Sequence, residues 1–186
     1  MTILLRISTF IDALNERVGR AVYWLILAAV LVSAGNATVR YLFDMSSNGW
    51  LELQWYLFSA VFLLAAGYTL RHNEHVRIDL IFSRVPARKR AWIDLFGGVF
   101  FLLPIAIVIM ALSWPVFIES YLRHEMSADA GGLLRWPVKL LIPVGFLLLS
   151  LQGVSEIIKR IAFLRGRIPD PYERHEHPVA EELRGA

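Results

Sequence analysis

Residues 95–113 read LFGGVFFLLPIAIVIMALS and contain no charged side chain. A helix needs about 20 apolar residues to cross the hydrocarbon core of a bilayer. Lipid offers no hydrogen-bond partner to the backbone, so a segment that crosses it must be a helix or part of a closed barrel. Barrel strands alternate apolar and polar residues, and this segment does not. The stretch therefore predicts a transmembrane helix, which we place at residues 91–118.

Three further apolar runs have a similar length, at residues 21–39, 50–70 and 137–158. Of the 186 residues, 56% are hydrophobic, and the mean hydropathy is +0.52. This excess over an ordinary soluble domain indicates a bilayer. We expect an all-α integral membrane protein with four transmembrane helices.

The basic residues predict the orientation. Fifteen Lys and Arg lie in the N-terminal tail, the loop after the second span and the C-terminal tail, against four elsewhere. Cytoplasmic flanks of membrane helices are enriched in Lys and Arg. Both termini are therefore predicted to be cytoplasmic. Basic residues that flank apolar runs also indicate contact with a phospholipid membrane and not with nucleic acid.

The chain ends are predicted to lie outside the spans. Apolar residues near helical spacing in residues 1–20 predict a short amphipathic helix along the membrane surface; they are Ile3, Ile7, Phe10, Ile11 and Leu14. Residues 166–186 are polar, charged and contain prolines, which predicts a disordered cytoplasmic tail. We expect residues 1–165 to form a single membrane domain.

The middle of each predicted span is apolar. The stretches around Val30, Val61, Leu103 and Leu148 contain no charged residue, histidine or asparagine. Transporters and channels keep ionisable groups or unwound backbone at this depth, so these helices alone offer no hydrophilic route. The chain lacks cysteine, intramembrane histidine and a phosphate-binding glycine-rich loop. We therefore expect no enzyme activity, and no catalytic, metal or cofactor site.

Polar and aromatic residues cluster at one end of the first two spans. Asn36 and Arg40 share a helix face, because they are four residues apart, and Tyr41 follows. Glu52 and Trp55 lie at the start of the second span. Two interpretations remain open: an Arg40–Glu52 ion pair that locks a helical hairpin, or a polar patch that contacts a second protein.

The loop after the second span contains His75, Arg77 and Asp79. Arg77 and Asp79 alternate with apolar residues, an arrangement that simple anchoring does not require. They are candidates for bonds to a neighbouring helix or to headgroups, whereas the alternative is a basic loop that only sets the topology.

A series of short motifs runs along the chain in a fixed order: NxxxRYxF from Asn36, WxExQW from Trp50, GYTLR from Gly67, HVRID from His75 and IPVGF from Ile142. Each motif is weak alone. Together they resemble the small membrane subunit of tripartite ATP-independent periplasmic (TRAP) transporters, the DctQ-like family, over roughly residues 15 to 160.

The resemblance implies a three-part uptake system of the bacterial inner membrane. A periplasmic substrate-binding protein would deliver an organic anion, often a carboxylate, to a large permease subunit. That subunit would carry the sodium and substrate sites and move as an elevator, while the small subunit scaffolds it. An alternative of a different class is a membrane anchor or assembly subunit of a redox or signalling complex.

Overall fold

Four long helices make up the described part of the chain, which in this computed structural model comprises residues 2–45, 47–73 and 85–169. They are α1 (Thr2–Phe43), α2 (Asn48–Arg71), α3 (Ala87–Leu122) and α4 (Trp136–Leu164). Each is long and apolar enough to cross a membrane. Within the described ranges the only β pairing is one isolated bridge. The predicted all-α class with four spans is confirmed.

The helices extend beyond the predicted ranges, most of all α1. Apolar residues mark only the part of a helix that suits lipid, whereas backbone hydrogen bonding continues until the chain turns. Three helices are followed closely by a residue in the left-handed conformation: Asp44, Asn73 and His124, with φ of 51°, 54° and 47°. A left-handed residue reverses the chain direction and ends a helix.

The N-terminal segment is helical, but it is continuous with the first span instead of forming a separate short helix. Its most apolar side chains point away from the bundle: Ile3 and Phe10 are 72% and 70% exposed. Ser8 and Asn15 are buried instead. Ile11 is buried beside them. The inward face of this segment therefore mixes polar and apolar residues, and its apolar pattern alone did not predict how it packs.

We name the two ends of the bundle by what they contain. The terminal end holds the N-terminal part of α1, the C-terminal ends of α2 and α4, and the start of α3. The loop end holds the connections from α1 to α2 and from α3 to α4.

Helix α4 is the core of the bundle. In its most apolar window 44% of the residues are buried, against 11% or less in the other three helices. It packs against α1, α2 and α3, while α3 packs almost solely against α4. Two glycines allow the backbones to approach closely: a Cβ on Gly145 would lie 2.7 Å from the Leu63 carbonyl oxygen, and one on Gly67 3.2 Å from that of Leu148. Small residues serve this purpose in membrane helix packing.

Helix α3 contains one π-helical turn, Gly98–Leu102, between its α-helical parts Ala87–Gly97 and Leu103–Leu122. Pro104 lies two residues after this turn, and it has no N–H to complete the regular hydrogen-bond ladder. Leu102 packs against α4 at Gly153, where a Cβ would lie 2.5 Å from a Leu102 methyl carbon. The irregular turn and the glycine together bring α3 close to the core helix.

Candidate interaction surfaces

A groove runs between α1 and α2 in the half of the bundle nearer the loop end. It has a volume of about 810 Å³ and continues towards the loop end as a recess of about 560 Å³. We call the two together the α1–α2 groove. Its polar lining residues are Ser33, Asn36, Arg40, Tyr41, Asp44, Gln54, Trp55 and Ser59.

Four of the candidate contact residues line this groove: Asn36, Arg40, Tyr41 and Trp55. Tyr41 is 89% exposed and Trp55 is 71% exposed. The two helices thus present these side chains outwards on one surface, although they come from different parts of the sequence.

Glu52 lies apart from the groove and is buried, with 7% exposure. Its carboxylate accepts hydrogen bonds from the Ser127 hydroxyl and from the Leu133 N–H, the latter at 2.6 Å. A guanidinium nitrogen of Arg135 lies 3.8 Å away. The Arg40–Glu52 pair considered from the sequence is therefore absent, because Glu52 turns towards the loop between α3 and α4.

The loop between α3 and α4 is an ordered cap on the loop end. Met126 and Leu134 form an antiparallel bridge, and the Arg135 N–H donates to the Glu125 carbonyl oxygen at 2.8 Å. Two residues of α2 reach it as well: the Asn48 amide donates to the Ala130 carbonyl at 3.0 Å, and the Tyr56 hydroxyl to the Leu134 carbonyl at 2.9 Å. Glu52 therefore belongs to a set of α2 side chains that fasten this loop.

Glu125 ties the same loop to the start of α4. Its carboxylate pairs with the Lys139 ammonium. The hydrogen bond from Lys139 holds the pKa of the Glu125 carboxyl below its ordinary value. The carboxylate stays ionised at neutral pH, and the loop keeps this attachment.

His75, Arg77 and Asp79 lie outside the described residues.

A second polar cluster lies at the terminal end, between α1 and α4. The Gln152 amide nitrogen donates to Asp12 at 2.9 Å, and its carbonyl oxygen accepts from the Asn15 amide at 3.0 Å. Ser155 donates to the same Asp12 carboxylate at 2.7 Å and lies 2.7 Å from the Ser8 hydroxyl. Gln152, Asn15 and Ser155 have no exposed surface. We call these five residues the α1–α4 polar lock.

Ion pairs surround the lock on its outer side. Lys159 lies 3.1 Å from Asp12. Arg71, the last residue of α2, lies 2.6 Å from Glu16 and also donates to the Asp12 carbonyl oxygen at 2.8 Å. Arg71 thereby connects α2 to the same part of α1.

Sequence reasoning missed the lock because it treated residues 1–20 as a surface segment. A signal was nevertheless present. Ser8, Asp12 and Asn15 follow helical spacing, and so do Gln152 and Ser155. Two polar stripes of matching period on different helices predict that the stripes face each other, because polar groups inside a membrane protein need partners.

The fold and its polar contacts define the class of protein as a polytopic membrane protein. The fold is a polytopic membrane bundle whose polar groups fasten helices and loops to each other, and no group of three or more His, Asp or Glu within residues 2–45, 47–73 and 85–169 could hold a metal ion.

The family is shown by residues 29–163, which match the model described as "Tripartite ATP-independent periplasmic transporters, DctQ component". The chain belongs to this family and is a small permease component of a TRAP transporter. No curated protein and no solved structure shows a significant match to the chain.

The polar lock yields a test by substitution. Gln152→Leu removes one hydrogen-bond donor to Asp12 and one acceptor of the Asn15 amide. The loss of a partner for a buried polar group typically costs about 1–3 kcal/mol. We expect a lower thermal unfolding temperature in detergent and faster proteolysis of the first residues of α1. Thr9→Ala is the matched control, because the Thr9 hydroxyl is exposed and bonds only to its own helix at Leu5. Equal stability of both variants would contradict this role of the lock.

The loop cap yields a second test. Glu52→Ala removes the acceptor for Ser127 and for the Leu133 N–H, so we expect faster hydrogen–deuterium exchange across residues 126–135. Glu119→Ala is the control, since Glu119 forms an exposed pair with Arg123 within one helix. Unchanged exchange in the Glu52 variant would show that the loop is ordered by other contacts.

Proposed function

We propose that this chain is the scaffold subunit of a TRAP transporter in the bacterial inner membrane. It holds a large permease subunit that carries out sodium-coupled transport by an elevator movement. The cargo is an organic anion, a carboxylate, which a periplasmic binding protein delivers. The small subunit itself conducts nothing.

The observation that carries this proposal is the absence of charge inside the spans. Residues 21–39, 53–70, 95–118 and 140–155 contain no Asp, Glu, Lys or Arg. Sites for ions and anionic substrates in membrane transporters are built from ionisable groups or unwound backbone at this depth. Membership of a family defined by a tripartite system supplies the partner that would hold those sites.

Four groove residues are the proposed contacts with the large subunit: Asn36, Arg40, Tyr41 and Trp55. Glu52 contributes indirectly, because it fastens the loop cap beside them. In the proposed orientation this cap faces the periplasm, where the binding protein docks.

At the opposite membrane face, we assign His75, Arg77 and Asp79 to a second contact with the large subunit. Residues 1–165 act as one membrane domain in this proposal, and residues 166–186 as a cytoplasmic tail.

Co-production of the chain with the large permease encoded beside it tests the proposal. We expect a stable 1:1 complex after purification in detergent. Liposomes that contain the complex, its binding protein and a sodium gradient should take up the anion. Liposomes that contain this chain alone should not, because its spans offer no polar path. Transport by the chain alone, or failure of the two subunits to associate, would refute the proposal.

The orientation is tested separately with introduced cysteines, since the chain has none. With cytoplasmic termini, Asp129→Cys in the loop cap should react with a membrane-impermeant maleimide in intact spheroplasts. Arg167→Cys, beyond the end of α4, should react only after the membrane is permeabilised. Both sites are exposed in the bundle. The reverse labelling pattern would place the termini in the periplasm.

A further inference from the structure

Four polar side chains line the α1–α2 groove without a partner in the described part of the chain. Ser33 and Asn36 come from α1, and Gln54 and Ser59 from α2. All four are half-buried in the groove walls. None of them forms a hydrogen bond or an ion pair with another described residue.

Four other hydroxyl groups in the transmembrane helices behave differently. They donate to a carbonyl oxygen about one turn earlier in their own helix, at 2.7–3.1 Å, and they are Thr38, Thr69, Ser113 and Ser150. Such local bonds satisfy a hydroxyl group inside a membrane without a second protein. The groove residues lack the internal hydrogen bond that these four hydroxyl groups have, so their partners would have to come from another molecule.

The polar residues of the groove also lie well inside their helix. Gln54 lies about 9 Å along α2 from Asn48, at 1.5 Å per residue, and Ser59 lies deeper. A polar group that faces hydrocarbon without a hydrogen bond is costly. Acyl chains alone are thus a poor occupant for the deeper part of the groove.

The outer face of α3 provides the contrast. Its exposed side chains between Val99 and Leu112 are all apolar. The large ones are Val99, Phe100, Phe101, Ile105, Ile107, Val108 and Leu112. This face suits lipid. The bundle therefore has one apolar face and one grooved face with polar groups in it.

Shape and charge at the groove indicate what would fit there. Trp55, Phe58 and Phe62 lie along one side of α2 and are 71%, 68% and 71% exposed, so they form a ridge beside the groove. Ridges and grooves of this kind interlock with the side chains of another helix. At the loop end, Arg40 is exposed and makes no ion pair within the described residues, although Asp44 lines the same recess.

We infer that a transmembrane helix of the large permease subunit occupies the α1–α2 groove. This helix carries amide or hydroxyl side chains level with Gln54 and Ser59, and a carboxylate near Arg40. The inference rests on the proposed function. It specifies which face of the bundle the large subunit covers and which side chains the covering helix carries.

Photo-crosslinking of the full chain, co-produced with the permease, tests the face. Phe58 in the groove and Leu112 on α3 are each replaced by p-benzoylphenylalanine; both side chains are large and exposed. We expect a crosslink to the permease from position 58 and none from position 112. Crosslinking to the permease from position 112 alone, or from position 58 only to lipid or to a second copy of this chain, would overturn the inference.

Polar-to-apolar substitution tests the chemistry. Gln54→Leu and Asn36→Leu should each lower the yield of co-purified permease by about three- to tenfold, the effect expected for one interhelical hydrogen bond. Thr38→Val is the control, because the Thr38 hydroxyl bonds to its own helix at Ala34. Thermal unfolding of each variant without the permease checks that the chain still folds. An unchanged yield for both leucine variants would overturn the assigned chemistry.

The outcomes also separate the two proposals. A wild-type complex whose crosslinks map away from the groove refutes this inference and leaves the scaffold role intact. If the wild-type chain forms no complex with the permease, both the scaffold role and this inference are refuted.

Discussion

Polar groups inside a membrane protein must find partners within protein, and the architecture of this bundle depends on that constraint. Gln152 satisfies it at the terminal end, between α1 and α4, with hydrogen bonds to Asp12 and Asn15 and no exposed surface. Its contacts fix the rotation of α1 relative to α4. Arg71 then brings α2 to the same place through Glu16. The arrangement explains how a helix with polar residues in its first half can belong to a membrane bundle.

The same constraint distinguishes polar groups that hold the bundle together from polar groups that could contact a second protein. At the terminal end and in the loop cap, carboxylates and amides are paired with other parts of the chain. In the α1–α2 groove the polar side chains have no such partners among the described residues. The groove is therefore the surface that we propose for a second protein, in agreement with a family whose members work in tripartite transporters.

The sequence predicted the spans because their apolar length is a direct consequence of bilayer thickness. It also placed Asn36, Arg40 and Tyr41 at the end of the first span and Trp55 at the start of the second, and in the structure all four line one groove. Glu52 was harder to place. One turn of a helix separates it from Trp55, yet the two point in different directions, and the partners of Glu52 lie 75 or more residues away in the chain. Pairing over such distances depends on tertiary packing, which local spacing does not encode.

The continuity of α1 has a mechanical consequence. At 1.5 Å per residue its 42 residues span about 63 Å, roughly twice the hydrocarbon thickness of a bilayer. Because the helix is unbroken, its two halves are held in one continuous element. Its first half is pinned to α4, and its second half forms a wall of the groove. One continuous helix therefore carries both the polar lock and a wall of the groove, which fixes the position of that wall relative to the terminal end of the bundle.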